Sequence, residues 1–268
     1  MTSIGIFGGT FDPIHYGHLR TAFEMLQALD FEEVRFIPCS DPPHRGVTYA
    51  NAAQRYRLVE VAIAGQQGFV ADDREFRRGG PSYTIDTLGA LREEFPDHPL
   101  GLIIGMDAFL GLPTWHRWGE ILDYAHIVVA HRPGWKAPDI GVLGELIVEH
   151  GTHRVDDLHQ QTAGLVHIHA VTQLEIASTE IRDLVAAGRD PAVRQLHPVA
   201  FDQAQIDPFA IDAGETFAVP RQRQALGADR EAARTVRGAV RRGLRDAARN
   251  LHPRDPALDL QRAVEDHP

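Results

Sequence analysis

Residues Ile4 to His18, Ile-Gly-Ile-Phe-Gly-Gly-Thr-Phe-Asp-Pro-Ile-His-Tyr-Gly-His, constrain the fold more than any other stretch of this chain. A short apolar run ends in two glycines and passes a Pro-containing turn. It then meets a His-x-x-His pair where Leu19, Ala22, Phe23, Leu26 and Leu29 begin a helical stripe. That order predicts a strand, a tight loop and a helix N-terminus. Glycines let the backbone approach an anion closely, and the free N–H groups and positive dipole end of the helix favour negative charge there. Residues three apart share a helix face, so His15 and His18 can both address one phosphate and donate to it as charge develops. Read alone, Gly8, Gly9 and Thr10 also suit a turn that binds nothing. The histidines equally suit two surface side chains or half of a metal site.

The 268 residues are enough for one large α/β domain, or for a domain of about 200 residues with an appendage. No apolar run approaches the roughly 18–20 residues of a membrane span, and the first residues lack a basic-then-apolar leader, so the expectation is a cytoplasmic protein. A single cysteine, Cys39, excludes an intrachain disulfide framework and suits core or loop lining. The net charge of −10 argues against a nucleic-acid partner. It is unevenly spread, because eleven arginines between Arg221 and Arg262 against five acids give +6 there and leave −16 elsewhere. That asymmetry marks residues 201–268 as an atypical Arg/Ala-rich tail, partly helical or disordered, behind a domain spanning 1–200.

Between these ends, strands alternate with helices. Val34–Pro38 reads as a second strand, followed by the stiff loop Asp41–Gly46, whose His44 and Arg45 suit phosphate donors or a plain surface turn. Asn51–Gly65 has helical periodicity, and Phe69–Ala71 is a short strand. After Gly79-Gly80-Pro81, Ser82 or Thr84 can cap a helix running to about Glu94. With Tyr83 they suit recognition of a carboxylate or phosphate, or ordinary capping. Leu100–Gly105 reads as a strand buried on both faces, with Gly105 and Asp107 at the carboxyl end where open α/β sheets place ligands. Asp107 can orient a ribose hydroxyl or a metal-bound water, or cap the next helix. Trp115 and Trp118 suit core packing or a platform for a flat ring. Ala125–Ala130 and Val166–Val171 are further strands, and Arg132, just past the first of these, can meet a phosphate oxygen or sit in a turn. His150, His153 and His159 lack the spacing of a metal motif and suit a solvated loop. Ser178 or Thr179 caps a last helix that carries Arg182 in its first turn.

The run Gly8–His18 closely resembles the signature of the nucleotidyltransferases with a (H/T)-x-G-H motif, in the form found in bacterial nicotinate-mononucleotide adenylyltransferases. Four further blocks resemble that family in order and spacing over roughly residues 2–200. They are Pro42-Pro43-His44-Arg45; Glu75-x-x-Arg78 with Ser82-Tyr83-Thr84-x-x-Thr87-Leu88; the Trp115 block; and Ile176-Ala177-x-Thr179-x-Ile181-Arg182, where Ala177 replaces the usual serine. The resemblance implies that His44 and Arg45 line the nucleotide site, and that Tyr83 and Thr84 sit near the nicotinate end of the substrate. It further implies that Trp115 stacks on the pyridine ring, and that the last motif binds the ATP phosphates and adenosine. Trp118 is left in the core.

The fold expected is a Rossmann-like, doubly wound parallel sheet with helices on both faces. Neither a Gly-x-x-x-x-Gly-Lys-Ser/Thr loop nor a Gly-x-Gly-x-x-Gly turn is present, which disfavours kinase and dehydrogenase chemistry. The expected reaction is transfer of the adenylyl group of ATP to nicotinate mononucleotide, with Mg²⁺ carried by ATP. His15, His18 and Arg182 form the catalytic set. Gly8, Gly9, Thr10, Phe11, His44, Arg45, Gly105, Asp107, Arg132, Ser178 and Thr179 hold the ATP phosphates. Ser82, Tyr83, Thr84 and Trp115 hold the acceptor, and no metal site within the protein is expected. A homo-oligomer is compatible with this reading. The rivals are a relative using another phosphate acceptor, such as nicotinamide mononucleotide, and a nucleotide-binding protein without turnover.

Overall fold

The computed structural model describes residues 2–42, 48–131, 136–172 and 174–190. The strands are β1 (Ile4–Gly9), β2 (Glu33–Pro38), β3 (Phe69–Ala71), β4 (Leu100–Gly105), β5 (His126–His131), β6 (Gly151–Thr152) and β7 (Val166–Ala170). They form one sheet in the order β3-β2-β1-β4-β5-β7-β6, and every pairing is parallel. Helices α1 (Tyr16–Ala28), α2 (Ala52–Ile63), α3 (Arg74–Arg78), α4 (Thr84–Glu94), α5 (Met106–Leu110), α6 (Ile121–Tyr124), α7 (Gly141–His150), α8 (Asp157–Gln160) and α9 (Ser178–Ala186) connect or follow the strands. Among the described residues no helix is long and apolar enough to cross a membrane.

Successive strand side chains point to opposite faces, and the sequence of each central strand is apolar on both. Phe7, Val34, Phe36, Ile103 and Val128 therefore join one cluster with Leu19, Ala22 and Met25 of α1 and Leu58 and Val59 of α2. Ile6, Ile37, Leu102, Ile104, Ile127 and Val129 join the other, with Leu88 and Leu91 of α4, Phe109 of α5 and Ile121 of α6. Helices thus cover both faces, as expected from the alternation of elements. The buried stripe of α1 is Leu19, Ala22 and Met25, with Phe23 and Leu26 only half-buried at its margin. Gly5 and Gly101 lie opposite one another in adjacent strands. A Cβ at Gly101 would stand 2.6 Å from the ring of Phe31, so the pair of glycines forms the notch that this ring fills.

From β1 the chain winds outward to β2 and β3, then returns to lay β4 on the other flank of β1. The direction of winding reverses between β1 and β4. Loops leaving their carboxyl ends diverge to opposite faces and open a crevice there.

Candidate active site

The glycine turn leaves β1 at that crevice. Phe11 has a left-handed backbone, φ 46°, which costs a residue with a Cβ about 1 kcal/mol or more. Burial of its ring offsets the cost: it is 2% exposed, with ring centroids 5.8 Å from Phe7 and 6.0 Å from Phe36. A Cβ at Gly9 would come within 3.0 Å of this ring, whereas one at Gly8 or Gly105 would meet nothing within 4 Å. The ends of β1 and β4 therefore present bare backbone to open space.

His15 occupies the N-cap of α1 in extended conformation, and its N–H donates to Nδ1 of His18 at 3.3 Å. With Nδ1 accepting, a neutral His18 ring carries its proton on Nε2. The two rings stack at 3.7 Å between centroids, and His18 also meets the ring of Phe11 edge-on at 5.1 Å. Gly17 makes the stack possible, since a Cβ there would lie 3.0 Å from both Cε1 and Nδ1 of His15. Nδ1 of His15 is buried without a partner, and burial lowers the pKa of the ring from 6.5 to about 4. His15 is therefore neutral at pH 7.

A stability prediction follows from that shift. The folded pKa lies below the unfolded one, so the unfolded chain binds the proton first. The contribution is complete above pH 6.5 and is lost as pH falls from 6.5 toward 4. Its full size is on the order of 3 kcal/mol. His126 and His167, also held low chiefly by burial, act in the same direction. Urea titrations of the wild type and of His15→Gln across this range are expected to show the shallower pH slope in the variant. Equal slopes would contradict the buried neutral ring.

The last helix returns to this turn, although the caps differ from expectation. Ala177, not Ser178 or Thr179, is the N-cap of α9, and it offers no side-chain acceptor. Ser178 Oγ donates instead to the Pro13 carbonyl at 3.0 Å, which pins α9 to the start of α1. Arg182 donates through Nη1 to the Asp12 carbonyl at 2.7 Å and through Nη2 to Thr179 Oγ1 at 3.0 Å, while its Nε is buried without a partner. Hydroxyls, guanidinium and histidines thus converge on the segment Asp12–His18.

Below them lies a hub absent from the sequence reading. Arg55 of α2 is 1% exposed and donates to three carbonyls: Thr10 at 2.7 Å, Ser40 at 3.1 Å and Ala50 at 3.1 Å. Burial lowers its pKa, opposed by Cys39, Asp12 and Glu75 nearby. The Asp12 carboxylate accepts the N–H groups of Tyr49 and Ala50 at 2.8 and 3.0 Å. One signal was available for Arg55: it stands three and four residues before Leu58 and Val59, on the buried side of α2.

On the other flank of the crevice, Tyr83 is the N-cap of α4, and neither Ser82 nor Thr84 caps it. Ser82 Oγ accepts the N–H groups of Ser40 and Asp41 at 2.8 and 3.1 Å, which ties the end of β2 to α4. Thr84 opens that helix. The Tyr83 ring lies 4.4 Å from that of His116, a neighbour that the sequence reading passed over. Trp115 and Trp118 are both half-buried against the second apolar cluster, so burial does not single out a platform. Asp107 lies exposed in the first turn of α5, beside Gly105. His44, Arg45 and Arg132, together with the tail from residue 191 onward, lie outside the described residues. Among those described, no three His, Cys, Asp or Glu side chains are grouped so as to hold a metal ion.

A parallel sheet with a bare glycine turn at its switch point, histidines at a helix start and an arginine returning from the last helix is an arrangement suited to the phosphates of a nucleotide. A family model described as cytidylyltransferase-like matches residues 6–184, and the chain belongs to that family. An Aeromonas hydrophila protein described as "Probable nicotinate-nucleotide adenylyltransferase" is 49% identical over 188 residues, 70% of this chain and 88% of that one. A Methylococcus capsulatus protein of the same description is 48% identical, covering 69% of this chain and 89% of its own length. Among solved structures, Plasmodium falciparum nicotinic acid mononucleotide adenylyltransferase complexed with NaAD superposes with a TM-score of 0.55. At 18% identity, covering 74% of this chain and 92% of that one, it shares the fold.

Proposed function

We propose that this chain joins the phosphate of nicotinate mononucleotide to the α-phosphorus of ATP, giving nicotinate adenine dinucleotide and pyrophosphate. The observation that carries the reading is the stacked pair His15 and His18 at the start of α1, beside the bare backbone of Gly8 and with a buried, unpartnered ring nitrogen. The sequence and family relationships supply the choice of acceptor.

An oxygen of the acceptor phosphate forms the new bond to the α-phosphorus, and the bond to the bridging oxygen of pyrophosphate breaks. The nucleophile is already an anion, so no base has to remove a proton. The protein's work is alignment and neutralisation. His15 and His18, at the positive dipole end of α1, donate to the α-phosphoryl oxygens as charge grows there. Arg182, with Ser178 and Thr179, holds the leaving pyrophosphate, its Nε being the donor not yet engaged. Thr10 and Phe11 set the turn beneath the phosphates, and His44, Arg45 and Arg132 add donors. Ser82 positions the loop through its two accepted N–H groups, while Tyr83, Thr84 and Trp115 hold the pyridine nucleotide. Mg²⁺ carried with ATP would supply charge compensation at the phosphate oxygens. The exposed carboxylate of Asp107 suits contact with its water shell rather than a cage of protein ligands.

Pyrophosphate release by the full chain with Mg-ATP, offered nicotinate mononucleotide and nicotinamide mononucleotide in parallel, tests the proposal. The acid is expected to be strongly preferred. Equal use of the amide, or no release from folded protein, would overturn it.

A further inference from the structure

Tyr49 belongs to none of the motifs that mark the site, yet it lies against the residue assigned to the leaving group. The guanidinium carbon of Arg182 stands over the Tyr49 ring, 4.6 Å from its centroid. Asp12 fixes both partners. Its carboxylate holds the Tyr49 and Ala50 N–H groups, and its carbonyl takes Nη1 of Arg182. Arg55 secures the same turn through the Ala50 carbonyl. At 51% exposure, Tyr49 is not placed there by burial of its ring. The contact with Arg182 is what the exposed ring provides.

We propose that Tyr49 is a positioning residue for Arg182. A guanidinium makes its hydrogen bonds in its own plane and meets an aromatic ring with its face. The ring contact therefore consumes no N–H group. It persists when Nη1 leaves the Asp12 carbonyl for a phosphate oxygen, and it spares part of the entropy of ordering a long side chain on binding. The role given to Arg182 rests on the adenylyl-transfer reading above, whereas the contact itself does not.

The test uses Tyr49→Phe and Tyr49→Leu in the full chain. The first readout is the Nε–Hε resonance of Arg182, assigned with an Arg182→Lys variant. Ring current is expected to displace it in the wild type and in Tyr49→Phe, and the displacement is expected to vanish in Tyr49→Leu. The second is the reverse reaction of pyrophosphate with nicotinate adenine dinucleotide. In Tyr49→Leu the KM for pyrophosphate is expected to rise about two- to fivefold, the worth of such a contact at a partly exposed site. Tyr49→Phe is expected to stay near the wild type, as is the KM for the dinucleotide in both variants. An Nε–Hε resonance that keeps its wild-type displacement in Tyr49→Leu would overturn the proposal. So would an unchanged KM for pyrophosphate, or equal impairment by Phe and Leu. If the wild type runs no reverse reaction, the adenylyl-transfer reading falls. Calorimetric affinity for pyrophosphate across the three chains then decides the positioning role by the same ratios.

Discussion

His18→Ala is expected to lower kcat for adenylyl transfer by about 10²–10³, the cost of removing one donor aimed at developing charge in a preorganised site. The fold has little reason to fail. His18 is half-buried in the first turn of α1, and its Nδ1 bond with the His15 N–H is long at 3.3 Å, while the ring contacts with His15 and Phe11 lie at the margin of the core. Loss of an N-terminal cap costs about 1 kcal/mol. The KM values are expected to change far less than kcat, because the donor matters most when negative charge builds on the transferred group. His18→Gln restores a donor at similar reach, but not one stacked on His15, and is expected to recover only part of the rate. Steady-state kinetics with a melting curve for each variant separate these effects. Near-normal turnover in folded His18→Ala would remove the central role assigned to the pair.

How far the sequence foretold this site follows from how local its determinants are. Gly8 to His18 is contiguous, so the strand, the turn and the helix start, together with the two histidines, could be read as one unit. The buried run Leu100–Gly105 likewise announces a central strand because both its faces are apolar, and the structure begins and ends β4 at those residues. Among the short elements, β3 was read at Phe69–Ala71 from its flanking glycine and its apolar residues, but others carried no such signal. The two residues of β6, the five of α3 and the four of α8 span too little for any period to show.

Hydroxyl groups misled for a different reason. The rule that Ser or Thr at a helix start caps that helix is a local rule, and both serines concerned found distant partners. Ser178 bonds Pro13, 165 residues away, and Ser82 bonds Ser40 and Asp41. In each case a tertiary contact replaced the local cap, and the helix began on Ala177 or Tyr83 with no side-chain bond. Tyr49 and His116 escaped notice likewise, since what distinguishes them is a ring contact with residues remote in sequence.

Arg55 is the extreme case, and its replacement carries the largest effect expected on stability. Arg55→Met keeps most of the buried stem and removes the three donors, leaving the carbonyls of Thr10, Ser40 and Ala50 without their guanidinium. An abandoned buried acceptor costs about 1–3 kcal/mol. Water can reach some of these groups, because Thr10 and Ser40 are only half-buried. A total loss of about 3–5 kcal/mol is therefore expected from urea denaturation, the range seen when one partner of a buried charged network is removed. The melting temperature should fall by on the order of 10 °C. Arg55→Lys keeps the charge near Asp12 and Glu75, but a single ammonium cannot span three carbonyls that a planar fork reaches, so it is expected to fall between Met and wild type. A loss below about 1 kcal/mol for Arg55→Met would show that the three bonds are dispensable. The turn after β1 and the loop after β2 would then owe their placement to the aromatic packing of Phe11 against Phe7 and Phe36 rather than to this buried charge.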